Sequence, residues 1–306
     1  MIMELIGQKI LITGATGQLA WYIASNLAKD NDVHAMARFS AEGSMDRLLE
    51  AGMSCIKRDY ASDDLSDIEP DFDYVLHFAT YQIAGSEDFD EAIRVNAVGT
   101  GKLMHHFRNV KGFFFSSTCS VYQPAGAEPR SEDSPLGDSM RGHAPTYSFS
   151  KVAAEAVVKF NAQQFNIPTV IARMNVSYGN NGGLPVLHLN NLRNGDPIYL
   201  HHEKPNYYSP IHERDYFDKM VQLLDHVSTE PTVVNWAGSQ IVSAEEWCEY
   251  MADILGVKPN FVYMDLIPGA PADTSKMEEL VGKTSVDWRD GMRELIEQEA
   301  ADYRQK

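Results

Sequence analysis

Lys9-Ile10-Leu11-Ile12-Thr13-Gly14-Ala15-Thr16-Gly17-Gln18-Leu19-Ala20 is the stretch on which the fold turns. Lys9–Thr13 is a short apolar run, the pattern of a buried strand. Gln18–Ala28 spaces its apolar residues like a helix. Gly14 and Gly17 stand between the two. Glycine allows the tight strand-to-helix turn and lets a phosphate approach the backbone. The helix N-terminus behind it offers N–H groups and partial positive charge. A glycine pair alone also marks ordinary strand–helix turns, so the surroundings decide. A strand before, a helix after and the alternation beyond point to a dinucleotide site. Ala20 replaces the third glycine of the usual fingerprint and is still small enough for close helix–strand packing.

Outward from this stretch the first half alternates. Strands are expected at Val33–Ala37, Ser54–Ile56, Tyr74–Phe78, Gly112–Ser117 and Thr169–Arg173. Helices are expected at Met45–Ala51, Phe89–Phe107 and Tyr147–Phe165. Near-continuous apolar strands between helices predict an α/β fold, a Rossmann-type doubly wound parallel sheet. The pattern weakens after Tyr178, where Gly179-Asn180-Asn181-Gly182-Gly183 reads as a loop. Helical patches follow at Pro185–Leu192 and 213–226, and Thr232–Trp236 reads as a strand returning to the sheet. The expected division is 1–179 plus about 213–240 for the dinucleotide domain. Residues 180–212 plus 241–306 form a smaller C-terminal substrate lobe, beside the strand ends where open sheets bind ligands.

The second strand ends Met36-Ala37-Arg38-Phe39-Ser40, with no carboxylate before Glu42 to hold the ribose diol of NAD. Arg38 and Ser40 suit a 2′-phosphate, so NADP is favoured over NAD; the competing reading has Arg38 stack on adenine. Mid-chain, Tyr147-Ser148-Phe149-Ser150-Lys151 places Tyr147 and Lys151 on one helix face. A phenol is a poor base at neutral pH, and a neighbouring ammonium favours its phenolate. The pair follows the strand ending Ser116-Ser117-Thr118, whose hydroxyls can polarise a substrate oxygen. Together these groups suit proton and hydride transfer at a carbon bearing oxygen.

The chain has 306 residues, 44% hydrophobic, enough for one large domain or two modest ones. With 26 basic against 43 acidic residues, its charge of −17 argues against nucleic-acid and membrane-surface partners. Cys55, Cys119 and Cys248 lie far apart, as in a reduced, cytoplasmic protein. No leader-like segment or membrane-length apolar run is present in the sequence.

These motifs resemble the extended short-chain dehydrogenase/reductases, the NAD(P)-dependent epimerase/dehydratase family. The resemblance covers nearly the whole chain. It runs through Thr13–Ala20, Asp59, Leu76-His77-Phe78-Ala79, Val95–Thr100, Ser116–Tyr122 and Tyr147–Lys151. It continues with Arg173, Tyr178-Gly179, Pro210–Asp215 and Ala272–Lys276. It implies that Thr118 is the catalytic hydroxyl, with Ser117 beside it. Tyr147 then moves the proton and Lys151 lowers its pKa. It implies a cofactor site of Gly14, Thr16, Gly17, Gln18, Leu19, Arg38, Ser40, Asp59, Tyr60, Phe78, Ala79, Thr80, Tyr147 and Lys151. Asn96 would be structural or hold a water. Substrate contacts would come from Tyr81, Thr118, Cys119, Asn175, His188 and Tyr208. The family also implies a homodimer built on the helices Phe89–Phe107 and Tyr147–Phe165, with Val95, Leu103, Val152, Val157 and Val158 as apolar positions.

Three positions depart from the members that act on nucleotide-diphosphate sugars. Val176 stands where their Asn falls, Tyr208-Ser209 where Arg-Asp falls, and Asp265–Gly269 where an arginine is expected. Burying a diphosphate without multidentate cations is costly. Lys204, Arg214 and Arg293 are the possible replacements. Tyr199–Tyr208 is aromatic and suits a ring or an apolar alcohol. His201-His202 are poor chelators without a further ligand, so no metal is expected. Cys119 has no His base placed for it and reads as packing.

The reading is an NAD(P)-dependent oxidoreductase that interconverts a secondary alcohol and a ketone on a small cyclic or aromatic substrate. The alternative is a nucleotide-sugar epimerase that retains its cofactor. A sugar dehydratase fits less well, because Cys119-Ser120 replaces the Asp-Glu expected after the catalytic Thr. A non-catalytic NAD(P)-binding regulator is the weakest, since binding alone needs no proton carrier.

Overall fold

A computed structural model describes residues 5–138, 140 and 142–304. The first six strands are β1 (Lys9–Thr13), β2 (Asp32–Ala37), β3 (Ser54–Lys57), β4 (Tyr74–His77), β5 (Gly112–Thr118) and β6 (Thr169–Met174). Shorter ones follow: β7 (Val176–Gly179), β8 (Gly182–Gly183), β9 (Ile198–His201), β10 (Tyr207–Tyr208) and β11 (Pro210–His212). The last are β12 (Thr232–Trp236), β13 (Val242–Ser243) and β14 (Phe261–Met264). Seven strands form one sheet in the order β3-β2-β1-β4-β5-β6-β12. The pairs β1–β2, β1–β4, β2–β3 and β4–β5 are parallel. This is the doubly wound order, with its switch point between β1 and β4. β4 is buried throughout, as a strand covered on both faces must be.

Helices α1 (Gln18–Leu27), α2 (Ser44–Glu50), α3 (Phe89–Ile93), α4 (Thr100–His106) and α5 (Tyr147–Phe165) connect these strands. Leu103, Phe107, Ala154 and Val158 meet Leu11, Val75, Phe113 and Ile171 in one core. The single helix expected over Phe89–Phe107 is interrupted. Arg94–Gly99 is a π-helical turn between α3 and α4. Its Asn96 is buried, and its side chain bonds outward to another segment. Gly99 sits so close to Tyr60 and Ala61 that a Cβ would lie 2.7 Å from that of Ala61.

The chain divides into two compact units. The first is Met1–Thr118, Ala144–Arg173 and Met220–Val234; the second is Cys119–His143, Met174–Lys219 and Asn235–Lys306. The second contains α6 (Leu184–Asn194), most of α7 (Glu213–Leu223), α8 (Ala244–Leu255), α9 (Ser275–Val281) and α10 (Trp288–Arg304). Leu189, Leu192, Ile198, Met251 and Leu295 pack around Trp247 as its core. The stretch 119–143, assigned to the dinucleotide domain from sequence, clusters with the second unit. Asn235 holds it there. Its Nδ2 donates to Arg130 O and Asp273 O, its amide donates to Glu132, and its Oδ1 accepts from Tyr122. Among the described residues no helix is long and apolar enough to cross a membrane.

Candidate active site

β1 delivers Gly14 at a φ of 74°, and the amide of Gly17 donates to Gly14 O (2.8 Å). A Cβ on Gly14 would lie 2.7 Å from Ala79 N and 2.8 Å from Ala79 Cα. The room Gly14 gives up is therefore filled by the backbone of Phe78 and Ala79, just after β4. Gly17 caps α1 with no side-chain bond, and Thr16, Gly17 and Gln18 are exposed while Leu19 is half-buried. This exposed helix start fits a pyrophosphate.

The rest of the expected cofactor set divides. Arg38 and Ser40 are exposed just beyond β2, flanking Phe39, whose φ is 51°. Asp59 Oδ1 accepts from the Ala61 amide in its own turn. Tyr60 is buried, its hydroxyl donates to Val95 O, and burial raises its pKa. Tyr60 thus holds the π turn in place. Phe78 and Ala79 are half-buried and Thr80 is exposed.

His77, buried at the end of β4, is a hub of hydrogen bonds. The Thr100 hydroxyl donates to Asn96 O, so its oxygen accepts from His77 Nε2–H (2.8 Å). Nδ1 then accepts from the Thr13 hydroxyl (2.6 Å), whose oxygen accepts from the Ala79 amide. This chain of donors fixes the neutral tautomer. Burial, helped by Lys151, pushes the His77 pKa down to about 3. Asn96 links the next segment to α5. Its Oδ1 accepts from Thr80 Oγ1 and the Tyr81 amide, and its Nδ2 donates to Tyr81 O and Ser150 Oγ.

Tyr147 opens α5 and is half-buried. One turn later Lys151 is 3% exposed, and its Nζ donates to Ser116 O (2.7 Å) and lies 4.2 Å from the Phe115 ring centre. The lysine is thus tied to β5 two residues before Thr118. Burial pushes its pKa down to about 7, with Glu155 opposing. Thr118 ends β5 and is buried. Its neighbour Ser117 is committed elsewhere: its hydroxyl donates to Glu155 Oε1 (2.6 Å), and Arg173 grips Glu155 through Nε and Nη2 (2.9 and 2.7 Å). This buried pair anchors α5 to β6. No sequence motif marked Glu155.

Of the expected substrate contacts, Tyr81 shares a hydrogen bond with Ser86 through its hydroxyl (2.9 Å). Cys119 is buried with Tyr122, Ala237 and Ala272. Asn175 is a brace within the second unit, bonded to Ala270 O and the Ser209 amide. His188 lies in that unit's core, where its Nδ1 accepts from Trp247 Nε1 (2.9 Å). Tyr208 is half-buried beside Trp247, and burial, with Glu245, pushes its pKa up to about 12.

The NAD dependent epimerase/dehydratase family matches residues 10–237, and the chain belongs to that family. Comparison with curated proteins gives no match. Among solved structures, UDP-glucuronic acid 4-epimerase from Bacillus cereus in complex with NAD superposes with a TM-score of 0.81 at 22% identity, covering 97% of this chain and 98% of its own. UDP-N-acetylglucosamine 4-epimerase from Methanobrevibacter ruminantium M1, in complex with UDP-N-acetylmuramic acid, gives 0.82 at 19% identity, covering 97% and 99%. UDP-glucose 4-epimerase from Thermotoga maritima, with UDP-glucose, gives 0.80 at 15% identity, covering 96% and 99%. At these identities the likeness is one of fold.

Proposed function

We propose that this chain is an NAD(P)-dependent epimerase acting on a secondary alcohol of a sugar ring, with the cofactor retained between turnovers. The observation that carries the reading is Lys151, buried and tied to β5 beside Thr118, one turn after Tyr147. When bound, the nicotinamide supplies hydride acceptance and return. Tyr147 Oη takes the hydroxyl proton, and Lys151 Nζ favours the phenolate so formed. The Thr118 hydroxyl holds the substrate oxygen as it becomes a carbonyl. Tyr147 then returns the proton to the substrate oxygen, and the centre would be inverted because the turned ring would offer its opposite face for hydride return. The family and the sugar epimerases among its fold neighbours support this over the simple alcohol dehydrogenase that the sequence placed first.

The assay is a set of sugars and nucleotide sugars followed by nicotinamide absorbance and by product stereochemistry. Inversion without net cofactor turnover is expected. Stoichiometric reduced cofactor would overturn the proposal in favour of the dehydrogenase. A second reading, a substrate without a diphosphate, is favoured by what the spare cations do. Arg214 pairs with Glu294 (2.9 Å), Arg293 donates to Tyr250 Oη (2.9 Å), and Lys204 lies 4.7 Å from the Tyr263 ring centre. Calorimetric titration with a uridine diphosphate sugar separates the two readings: micromolar binding removes the second.

Cofactor choice rests on Arg38. If it meets a 2′-phosphate, as the sequence suggests, Arg38→Ala weakens NADP far more than NAD. Equal losses in cofactor titrations would leave Arg38 stacking on adenine and NAD as the cofactor.

A further inference from the structure

We propose that His201, His202 and Asp265 form a binding site for a divalent transition-metal ion such as zinc. Histidines adjacent along a strand point to opposite faces. Here β9 ends at His201 and the chain bends at His202. The bend brings the two rings side by side, with centres 4.3 Å apart and planes tilted by 34°. The third ligand comes from distant sequence. β9 pairs in parallel with β14, setting His201 opposite Met264, and the His202 amide donates to Met264 O (3.0 Å). The next residue, Asp265, therefore arrives beside both imidazoles, with Oδ1 3.7 Å from His201 Nε2.

One ligand atom from each of the three side chains lies within 4.8 Å of the other two. Ligands about 2.0–2.2 Å from one tetrahedral ion are about 3.3–3.6 Å apart. His202 and Asp265 are exposed and free to rotate over that difference, while His201 is buried and fixes the site. Two imidazoles and a carboxylate suit zinc, copper or nickel, with water completing the shell. Calcium and magnesium prefer all-oxygen sites. The Glu203 amide donates to His201 Nδ1 (3.2 Å), so the free neutral ring carries its proton on Nε2, toward Asp265. Metal on Nε2 moves that proton to Nδ1 and releases the exposed Glu203 amide. The ion would clip the loop after β9 to the loop after β14.

Tag-free, chelator-treated protein is titrated calorimetrically with zinc chloride alone. One saturable site of micromolar affinity is expected, weakened at least tenfold in both His202→Ala and Asp265→Asn. Both side chains are exposed, so the fold is kept, and circular dichroism checks it. Amide exchange at Glu203 should quicken on loading. Absence of a saturable site, or zinc binding equally well to both variants, would overturn the proposal.

Discussion

At Tyr147 a single oxygen separates proton transfer from mere occupancy. Tyr147→Phe keeps the ring at the start of α5 and should lower turnover by about 10²–10⁴ while cofactor still binds, the range for a positioned acid–base group. Steady-state kinetics with a cofactor titration checks both halves, and near-normal turnover would remove Tyr147 from the chemistry. Glu213 shows the opposite use of burial. Its Oε2 accepts from the Asn180 amide (2.9 Å), and burial pushes its pKa up to about 7. A raised carboxyl pKa means the folded state holds the proton more tightly than the unfolded one. Stability is therefore lost as pH rises from about 4.5 to 7, and the full penalty applies above that window. Glu213→Gln should remove it: about 2 kcal/mol more stable at pH 8 and no gain at pH 4, read from urea melts. An equal effect at both pH values would mean that Glu213 is not the titrating group.

Among the elements, the β1–α1 turn is set by what touches it. Gly14→Ala would drive a Cβ into the backbone of Ala79 at a φ of 74°, where neither partner can yield. A loss of about 2–4 kcal/mol is expected, with weakened cofactor binding, measured by denaturant melts and titration. A neutral substitution would show that the backbone at Phe78 and Ala79 can move. Gly14 was legible in the sequence because strand, glycine and helix follow one another locally. So were β1 to β6 and α5, which carries Tyr147 and Lys151 one turn apart. The π turn at Arg94–Gly99 was not, since apolar spacing over six residues fits either helical period. β8, β10, β11 and β13 are two or three residues long, and β7, β9 and β14, though as long as β3 and β4, lie outside the strand–helix alternation that marked those two. Asp265 meets His201 only through the β9–β14 register, which no local pattern encodes. The bond between His188 and Trp247 was not legible either, because a histidine in a helix reads alike whether it faces a ligand or a neighbouring ring.

For the whole molecule the open matter is assembly, and burial changes which residues would carry it. Leu103 and Val158, expected at a subunit interface, are consumed in the first unit's own core, with Val95 and Val157 packed against it. The apolar side chains left on the same helices are different ones: Phe89, Val98, Phe149 and Phe160, exposed by 42, 47, 49 and 62%. Phe89 and Phe149 already meet edge to face, their ring centres 5.7 Å apart, so α3 and α5 share one apolar surface. We propose that this surface forms a two-fold homodimer. In a two-fold interface each substitution acts twice. Covering one phenylalanine is worth about 1.5–3 kcal/mol, so Phe149→Glu should cost about 3 kcal/mol or more, over about a hundredfold in Kd. Light scattering at micromolar concentration should give twice the chain mass for the native protein and the monomer mass for Phe149→Glu and Phe160→Glu, both with unchanged circular dichroism. A monomeric native protein would refute the dimer, and a dimeric Phe149→Glu would place the interface on another face.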